Sequence, residues 1–364
     1  MTGSSSGITL KEMAQRLGLT PRAVSQALRQ DANGTTRVAK KTVARVRALA
    51  DQGGYRLNTS ARALRTRRFR QVGILVEYDF ENRLPPMVET PAIFGMGDYL
   101  NTQGWHLVIL QDNDSGSDKG PPSYVREHSL DGLVLCSHGL KKDEPRALEL
   151  RDSSVPYIWF NNNTPTNAVG IQDIIGAELA TRHLVELGHR RIIFVGGSSQ
   201  HCSLLEREEG YRNVMKSFGL EPIVWKHEIV MGKKYENRMI SREDWNRRII
   251  DDMMPKHRPT AIVCYSDIEA INLTRILRSV GLSIPGDVSV VGYNDVPFVD
   301  IADPPLTTMR ADFYLLGRMA GEMLLELLQA PQGERKLKSR FLCPQLIIRN
   351  STGPAPGSVK ATTV

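Results

Sequence analysis

The stretch that most constrains this chain is Thr9 to Arg29, TLKEMAQRLGLTPRAVSQALR, which reads as two short helices joined by a tight turn. Leu10, Met13, Ala14 and Leu17 stand at i, i+3, i+4 and i+7, one apolar stripe behind a capping Thr9. Gly18 ends that helix, because glycine takes the left-handed conformation past a helix end without a Cβ penalty, and Leu19 follows as a plug. Thr20 caps the second helix, with Pro21 at its first position.

The second helix divides its faces. Ala23, Val24, Ala27 and Leu28 can pack inward, while Arg22, Ser25, Gln26 and Arg29 share the opposite side. Arginine donates bidentately to guanine and glutamine pairs bidentately with adenine, so this face suits base edges and phosphates. The arrangement is that of a helix-turn-helix, whose second helix lies in the major groove of DNA. Taken alone, the stretch is also compatible with a surface hairpin whose polar face is merely solvated.

Charge favours the nucleic-acid reading. The net charge is +7, but residues 1–70 carry 15 Lys and Arg against 3 Asp and Glu, whereas the remainder carries 32 against 37. A basic head on a slightly acidic body is the electrostatic footprint of a polyanion binder. At 364 residues, with 41% hydrophobic content, two or three domains are expected. Cys136, Cys202, Cys264 and Cys343 are scattered singly, with no CxxC and no paired His spacing; a reducing compartment fits, a zinc site does not, and neither metal nor cofactor is expected. The opening MTGSSSG has no apolar run, and no stretch reaches the ~18 apolar residues of a membrane span, so a cytoplasmic protein is expected.

After a polar loop, QDANGTTR, a third helix with Val43, Val46 and Ala50 inward closes the head; Gly53 and Gly54 stop it and Tyr55 plugs the core. Asn58 to Arg65, NTSARALR, starts with a capping Asn58 but is shorter than the ~12 to 15 residues of a marginally stable helix, so it is expected to fold only on DNA. There Leu64 is an apolar wedge for the minor groove, with Arg62 and Arg65 beside phosphates. A flexible basic linker is the competing reading of the same residues. From Val72 short apolar runs (VGILV, WHLVIL, GLVLC, YIWF) alternate with helical stretches, and the alternation begins again with RIIFVGG, AIVCY and VSVVGY. Two parallel sheets wrapped by helices follow, with a ligand at the carboxyl ends of the strands between two lobes.

The head, the short hinge and the segments HLVELGHRRIIFVGG, EREEGYR, DVSVVGYND, PLTTMRADFYLLG and PQLIIRNST, in that order, resemble the lactose-repressor (LacI/GalR) family of bacterial transcription factors from Ile8 to about Thr352. The resemblance implies an N-terminal all-α helix-turn-helix head plus an α/β periplasmic-binding-protein-like body of two doubly wound parallel-sheet lobes. The expected bounds are 1–57 for the head, 58–70 for hinge and linker, 71–172 plus 305–338 for the first lobe, and 173–304 plus 339–352 for the second. A flexible tail at 353–364 completes the chain, and the strand FLCPQLII is expected to return to the second lobe. The resemblance also implies a homodimeric regulator, most often a repressor, that binds a pseudo-palindromic double-stranded operator and answers to a small effector, most simply a sugar.

Residue by residue, Pro21, Arg22 and Gln26 match the family's base-reading positions and Leu64 its intercalating leucine. Thr20, Ser25, Arg29, Asn58, Arg62 and Arg65 complete the expected DNA contacts. Asn161, Ser203, Arg207, Ser266 and Asn294 match effector-contacting positions, all at strand ends or helix starts. Tyr78 and Phe80 follow the first body strand and suit either stacking on a sugar ring or packing between lobes. Departures from the family pattern include Gln26 where arginine is common, Leu57 where proline is frequent, and a loop after Arg29 about four residues longer than in the lactose repressor. Arg207 has a competing reading as an ion pair with Glu206 or Glu209 on its own helix.

Enzyme readings are weak. Ser137–His138 and Cys202–Ser203 invite a nucleophile assignment, but the sequence shows no base and third orienting group. Gly95–Met96–Gly97 is part of a dinucleotide fingerprint without its third glycine, inside an expected helix. The body alone would suit a solute-binding protein, against which the basic head argues. A regulator without a small-molecule effector stays open.

Overall fold

A computed structural model describes residues 7–29, 38–55, 68–77, 87–112, 129–136, 155–196, 201–226, 230–231, 237–238, 242–331 and 335–357. It divides into two compact units, Met1–Phe69 and Arg70–Val364.

The first unit is a three-helix head: α1 (Leu10–Leu17), α2 (Pro21–Arg29) and α3 (Lys40–Gln52). A capping box starts α1. The Glu12 backbone N–H donates to the Thr9 hydroxyl at 3.2 Å, and the Glu12 carboxylate accepts the Thr9 N–H at 2.7 Å. Gly18 ends the helix in the left-handed region at φ 65°, as its sequence position predicts. Thr20 starts α2 by accepting the Ala23 N–H at 3.2 Å. Met13, Ala14, Val24, Ala27, Val46 and Ala50 form the buried core, with Val43, Leu28 and Tyr55 packed around it.

The second unit is built on two six-stranded sheets. The first has the order β13-β5-β4-β3-β1-β2, from β1 (Gln71–Glu77), β2 (His106–Asp112), β3 (Gly132–Cys136), β4 (Tyr157–Phe160), β5 (Ala168–Ile171) and β13 (Arg340–Leu342), all parallel. The second has the order β14-β12-β11-β10-β6-β7. Its strands are β6 (Ile192–Gly196), β7 (Ile223–Lys226), β10 (Ala261–Cys264), β11 (Ser289–Asn294), β12 (Thr307–Arg310) and β14 (Gln345–Ile347), with only β14 antiparallel. A small separate hairpin pairs β8 (Val230–Met231) with β9 (Asn237–Arg238). The strand β3 is buried at every position, as expected when helices cover both faces of a parallel sheet.

Helices α4 (Glu89–Thr102) and α10 (Phe313–Gln329) pack together on the first sheet, where Met96, Leu100, Leu316, Met323 and Leu324 are buried with Ile74 and Val134. On the second sheet α5 (Asp173–Glu186) and α6 (Cys202–Ser217) flank one core, with Leu184, Tyr211 and Met215 against Phe194 and Val263. The other core gathers Ile262, Val290 and Trp245 with α9 (Asp267–Ser279) and the helical stretch α7 (Arg242–Arg248), a π-helical turn at Ile249–Met253, and α8 (Met254–His257).

The chain changes sheets three times, the first at the expected bound and the other two away from it. It leaves the first sheet after Ile171 and returns only after Arg310, not at 304, because Thr307–Arg310 pairs with β11. The segment FLCPQLII does not form one strand. Phe341 pairs with β5 and Leu346 with β12, and Cys343–Pro344 bridges the sheets, since a proline has no N–H to continue a ladder. The tail expected to be flexible from 353 is tied to the second lobe as far as Ala355. Gly353 carbonyl accepts from buried His189 at 3.0 Å and the Ala355 N–H donates to Leu187 at 2.9 Å. The helices expected near Tyr124 and at Glu144–Arg151 lie outside the described residues.

The glycines at 95 and 317 set the α4–α10 spacing. A Cβ on Gly95 would lie 1.9 Å from the Tyr314 carbonyl oxygen, and one on Gly317 2.0 Å from that of Ala92. Gly95 therefore serves helix packing. Gly317→Ala should lower the midpoint of urea unfolding, because an overpacking cost at the upper end of about 1–3 kcal/mol exceeds the ~1 kcal/mol gain in helix propensity. An unchanged or raised midpoint would contradict this packing.

Candidate functional site

On the head, the face of α2 away from the core presents Pro21 and Arg22 as exposed residues, while Ser25 and Gln26 are half-buried. Val24 and Ala27 are completely buried and hold that face outward. The backbone of Arg29 ends the helix, and its side chain lies outside the described part. Asn58, Arg62, Leu64 and Arg65, with Tyr78 and Phe80, also lie outside the described residues.

In the body, both sheets reverse strand order between their first and third strands, β1 and β3 in one and β6 and β10 in the other. Loops after such strands diverge and leave a crevice at the carboxyl ends. The second sheet brings together there three of the five residues singled out for the body. Arg207 projects inward from α6 and is 3% exposed. Its Nε donates to Asp173 Oδ1 at 2.9 Å, Nη1 to the Tyr265 carbonyl at 2.7 Å, and Nη2 to Asn294 Oδ1 at 3.3 Å. The guanidinium carbon is 3.6 Å from the ring centre of Tyr293 and 4.9 Å from that of Tyr265. Burial opposes the charge on Arg207, but the Asp173 carboxylate and the two phenol rings outweigh it and push its pKa up. The carboxylate partner is therefore Asp173 on the neighbouring helix, not Glu206 or Glu209.

Ser203, 2% exposed, joins this cluster through the Tyr265 hydroxyl at 3.3 Å. Its own hydroxyl is 2.7 Å from His201 Nδ1, a basic nitrogen that the sequence reading did not supply. That nitrogen also accepts the Ser203 backbone N–H as the N-cap of α6, so its single lone pair is engaged in starting the helix. Ser266 stands apart as the N-cap residue of α9, with its hydroxyl on Glu269. Asn161 follows β4 on the first lobe at φ 53°, a conformation asparagine tolerates. Its loop meets the second lobe where Asn163 Nδ2 donates to Glu206 Oε1 at 2.6 Å. Burial raises the Glu206 pKa, and Cys202 beside it, its Sγ 4.0 Å from the Asn161 carbonyl, is pushed up to about 11.

Beneath the cluster, Asp267 is fully buried at the start of α9 and accepts from the Thr308 hydroxyl at 2.5 Å and the Val296 N–H at 2.9 Å. Burial outweighs those bonds and raises its pKa to about 7. Asp173, Tyr265, Tyr293, His201 and Asp267 are site residues that sequence reasoning missed. Position gave a signal for most of them. Tyr265 and Asp267 flank Ser266, Tyr293 precedes Asn294, and Asp173 begins the helix after the crossing strand. Among the described residues no group of three or more His, Cys, Asp or Glu could hold a metal, and no helix is long and apolar enough to cross a membrane.

The arrangement is suited to recognising hydroxyl groups. Arg207 uses three of the five N–H groups an arginine carries, its charge is balanced by Asp173, and Ser203 and Tyr265 add hydroxyls that both donate and accept.

Residues 181–352 match the model of the periplasmic binding protein-like domain. The HTH-type transcriptional regulator CelR of Thermobifida fusca is 27% identical over 330 residues, 87% of this chain and 91% of that one. A solved CelR–cellobiose complex has a TM-score of 0.66 at 25% identity, covering 94% of this chain and 99% of the other. The lac repressor dimer bound to operator and the anti-inducer ONPF has a TM-score of 0.77 at 24% identity, covering 96% and 100%, and supports the fold. With its capped helix-turn-helix head and two-sheet body, the chain is similar along nearly its whole length to HTH-type transcriptional regulators of the LacI/GalR kind.

Proposed function

We propose that this chain is a sequence-specific DNA-binding regulator, in the repressor mode, controlled by a neutral sugar bound between its two lobes. The observation that carries the reading is the pairing in one chain of an outward polar recognition helix with a two-lobe body whose cleft holds a charge-balanced arginine. Arg22, Ser25, Gln26 and Arg29 read and position the major groove, with Thr20 and Pro21 at the start of the helix beside the backbone. The hinge from Asn58 folds on the operator, with Leu64 as its wedge and Arg62 and Arg65 on phosphates. Two copies place two heads on two half-sites, as the lac repressor dimer does on its operator. The exposed Phe298 and Ile301, at 61% and 75%, are apolar surface that a second copy would cover. The protein works in the cytoplasm, where its operator is.

For the effector, the CelR–cellobiose complex supports a saccharide, and the Asp173–Arg207 pair favours a neutral one over a uronate or sugar phosphate, because the cation already has its carboxylate. Asn161 from the first lobe and Ser203, Arg207 and Asn294 from the second contact the sugar, and Tyr78 and Phe80 stack on a ring face. No covalent chemistry is required of any of them. Control follows only if the sugar binds one lobe arrangement better than the other.

Arg22→Ala should cost roughly 1 to 3 kcal/mol on the preferred operator and flatten its sequence preference. Equal weakening on random DNA, measured by titration at fixed salt, would remove base reading from Arg22. Thermal unfolding of the full-length protein against neutral mono- and oligosaccharides, uronates, sugar phosphates and purines tests the cleft. A ligand at a hundred times its dissociation constant should add about 2.7 kcal/mol of stability. That gain should come from a neutral sugar and disappear in Arg207→Ala. A hit confined to the anionic compounds would overturn the neutral-sugar assignment, and silence across the panel would favour a regulator without a small-molecule effector.

A further inference from the structure

Helix α6 presents two side-chain pairs at i, i+4 spacing, each pair on its own stripe. Ser203 and Arg207 are buried in the polar cluster, whereas Cys202 and Glu206, one position earlier, are half-buried and meet the first lobe. The Asn163 carboxamide donates to Glu206 Oε1 at 2.6 Å, and the Cys202 thiol points at the Asn161 carbonyl at 4.0 Å. Both contacts join the loop after β4 to the first turns of α6. Glu206 makes no ion pair among the described residues, since Arg207 beside it in sequence is committed to Asp173. Its hydrogen-bond partner is the carboxamide of the other lobe.

The loop itself is braced on the first lobe. The Asn162 N–H donates to the Val169 carbonyl at 3.2 Å, the Thr164 N–H to Asn162 Oδ1 at 3.0 Å, and the Leu337 N–H to Asn167 Oδ1 at 2.8 Å. A Cβ on Gly170 would lie 2.6 Å from the Asn162 carbonyl oxygen, so the loop lies tight against β5. Asn161 and Asn163 therefore move with the first lobe as one piece, and Glu206 and Arg207 move together on α6. A change in the distance from Asn161 to Arg207 carries the distance from Asn163 to Glu206 with it. We infer that the Asn163–Glu206 bond is a latch that sets the angle between the lobes, and with it the poise of the effector cleft. A partly exposed bond to a carboxylate is worth about tenfold in an equilibrium, enough to bias the lobe angle and little enough for a ligand to override. As regulation the inference rests on the reading of the cleft as an effector site; as a contact that governs lobe opening it does not.

Amide hydrogen exchange of the full-length protein, read by mass spectrometry with neither sugar nor operator present, tests the latch. Asn163→Asp sets a carboxylate against Glu206, and the nearby Glu209 and Asp173 add to the repulsion. Exchange should then rise, by about tenfold, in the loop at 161–167 and in α6 at 203–209 together, and it should rise also at 265–267 and 294–296, which face the cleft away from Asn163. Asn163→Asp combined with Glu206→Gln restores a bond between the same two side chains with donor and acceptor exchanged, and should return every one of these segments to the wild-type rate. Asn163 is exposed and Glu206 only half-buried, so both variants keep the fold. A rise confined to the loop would mark a local brace and overturn the latch, as would unchanged exchange in Asn163→Asp or a double variant that exchanges as fast as the single one. Failure of the latch in this measurement leaves the effector reading standing, and a protein that binds no sugar still gives a decisive result here.

Discussion

The buried pair of Arg207 and Asp173 is the interaction on which the body's candidate site depends. Each partner is 3% exposed, and a charge so far from water is tolerated only when it is paired and its remaining donors are bonded. Asp173 opens α5 just after the chain leaves the first sheet, Arg207 lies on α6, Tyr265 follows β10 and Asn294 ends β11. One side chain thus ties α6 to three element ends in a fixed floor. The arrangement also sets the chemistry a ligand meets. A cation with its counter-charge in place offers directed N–H groups without an unbalanced field, which matches hydroxyls better than a second carboxylate.

Around that floor the second lobe is stiff. Asn294 accepts from Arg207, Asp295 next to it is paired with Arg310 and Arg349, and Asp267 is enclosed under Thr308 and Val296. The described polar bonds from the first lobe are of a different kind. Asn163 reaches Glu206 from a loop after β4, in a partly exposed setting. Contacts of this sort rearrange at small cost, whereas a sealed ion pair does not. A ligand that bridged Asn161 and the Arg207 cluster would therefore act on the angle between lobes and leave each lobe intact.

Much of this was legible in the sequence because it rests on local rules. Thr9, Gly18 and Thr20 mark helix ends through their own hydrogen bonds and backbone freedom, and those ends lie where their chemistry predicts. Strands such as GLVLC declared themselves as continuous apolar runs. What escaped were features fixed by distant partners. Thr307–Arg310 looks like the start of a return crossing until β11 is beside it, and FLCPQLII looks like one strand until Pro344 is seen between two sheets. Arg207 is legible by its position, whereas Asp173 as its partner is not, because an ion pair 34 residues apart in sequence leaves no local pattern. The tail's attachment leaves no local pattern either, because the buried His189 that meets the Gly353 carbonyl is 164 residues away in sequence.

The central claim is that the cleft and the operator-binding head are thermodynamically linked through the lobe angle. The measurement that tests it most directly is operator affinity with and without a saturating neutral sugar effector, together with sugar affinity with and without operator. Linkage requires the two ratios to be equal, and a coupling of roughly 1–3 kcal/mol, about 5- to 150-fold, is expected. A ratio of one in both directions, with the sugar demonstrably bound, would contradict the account.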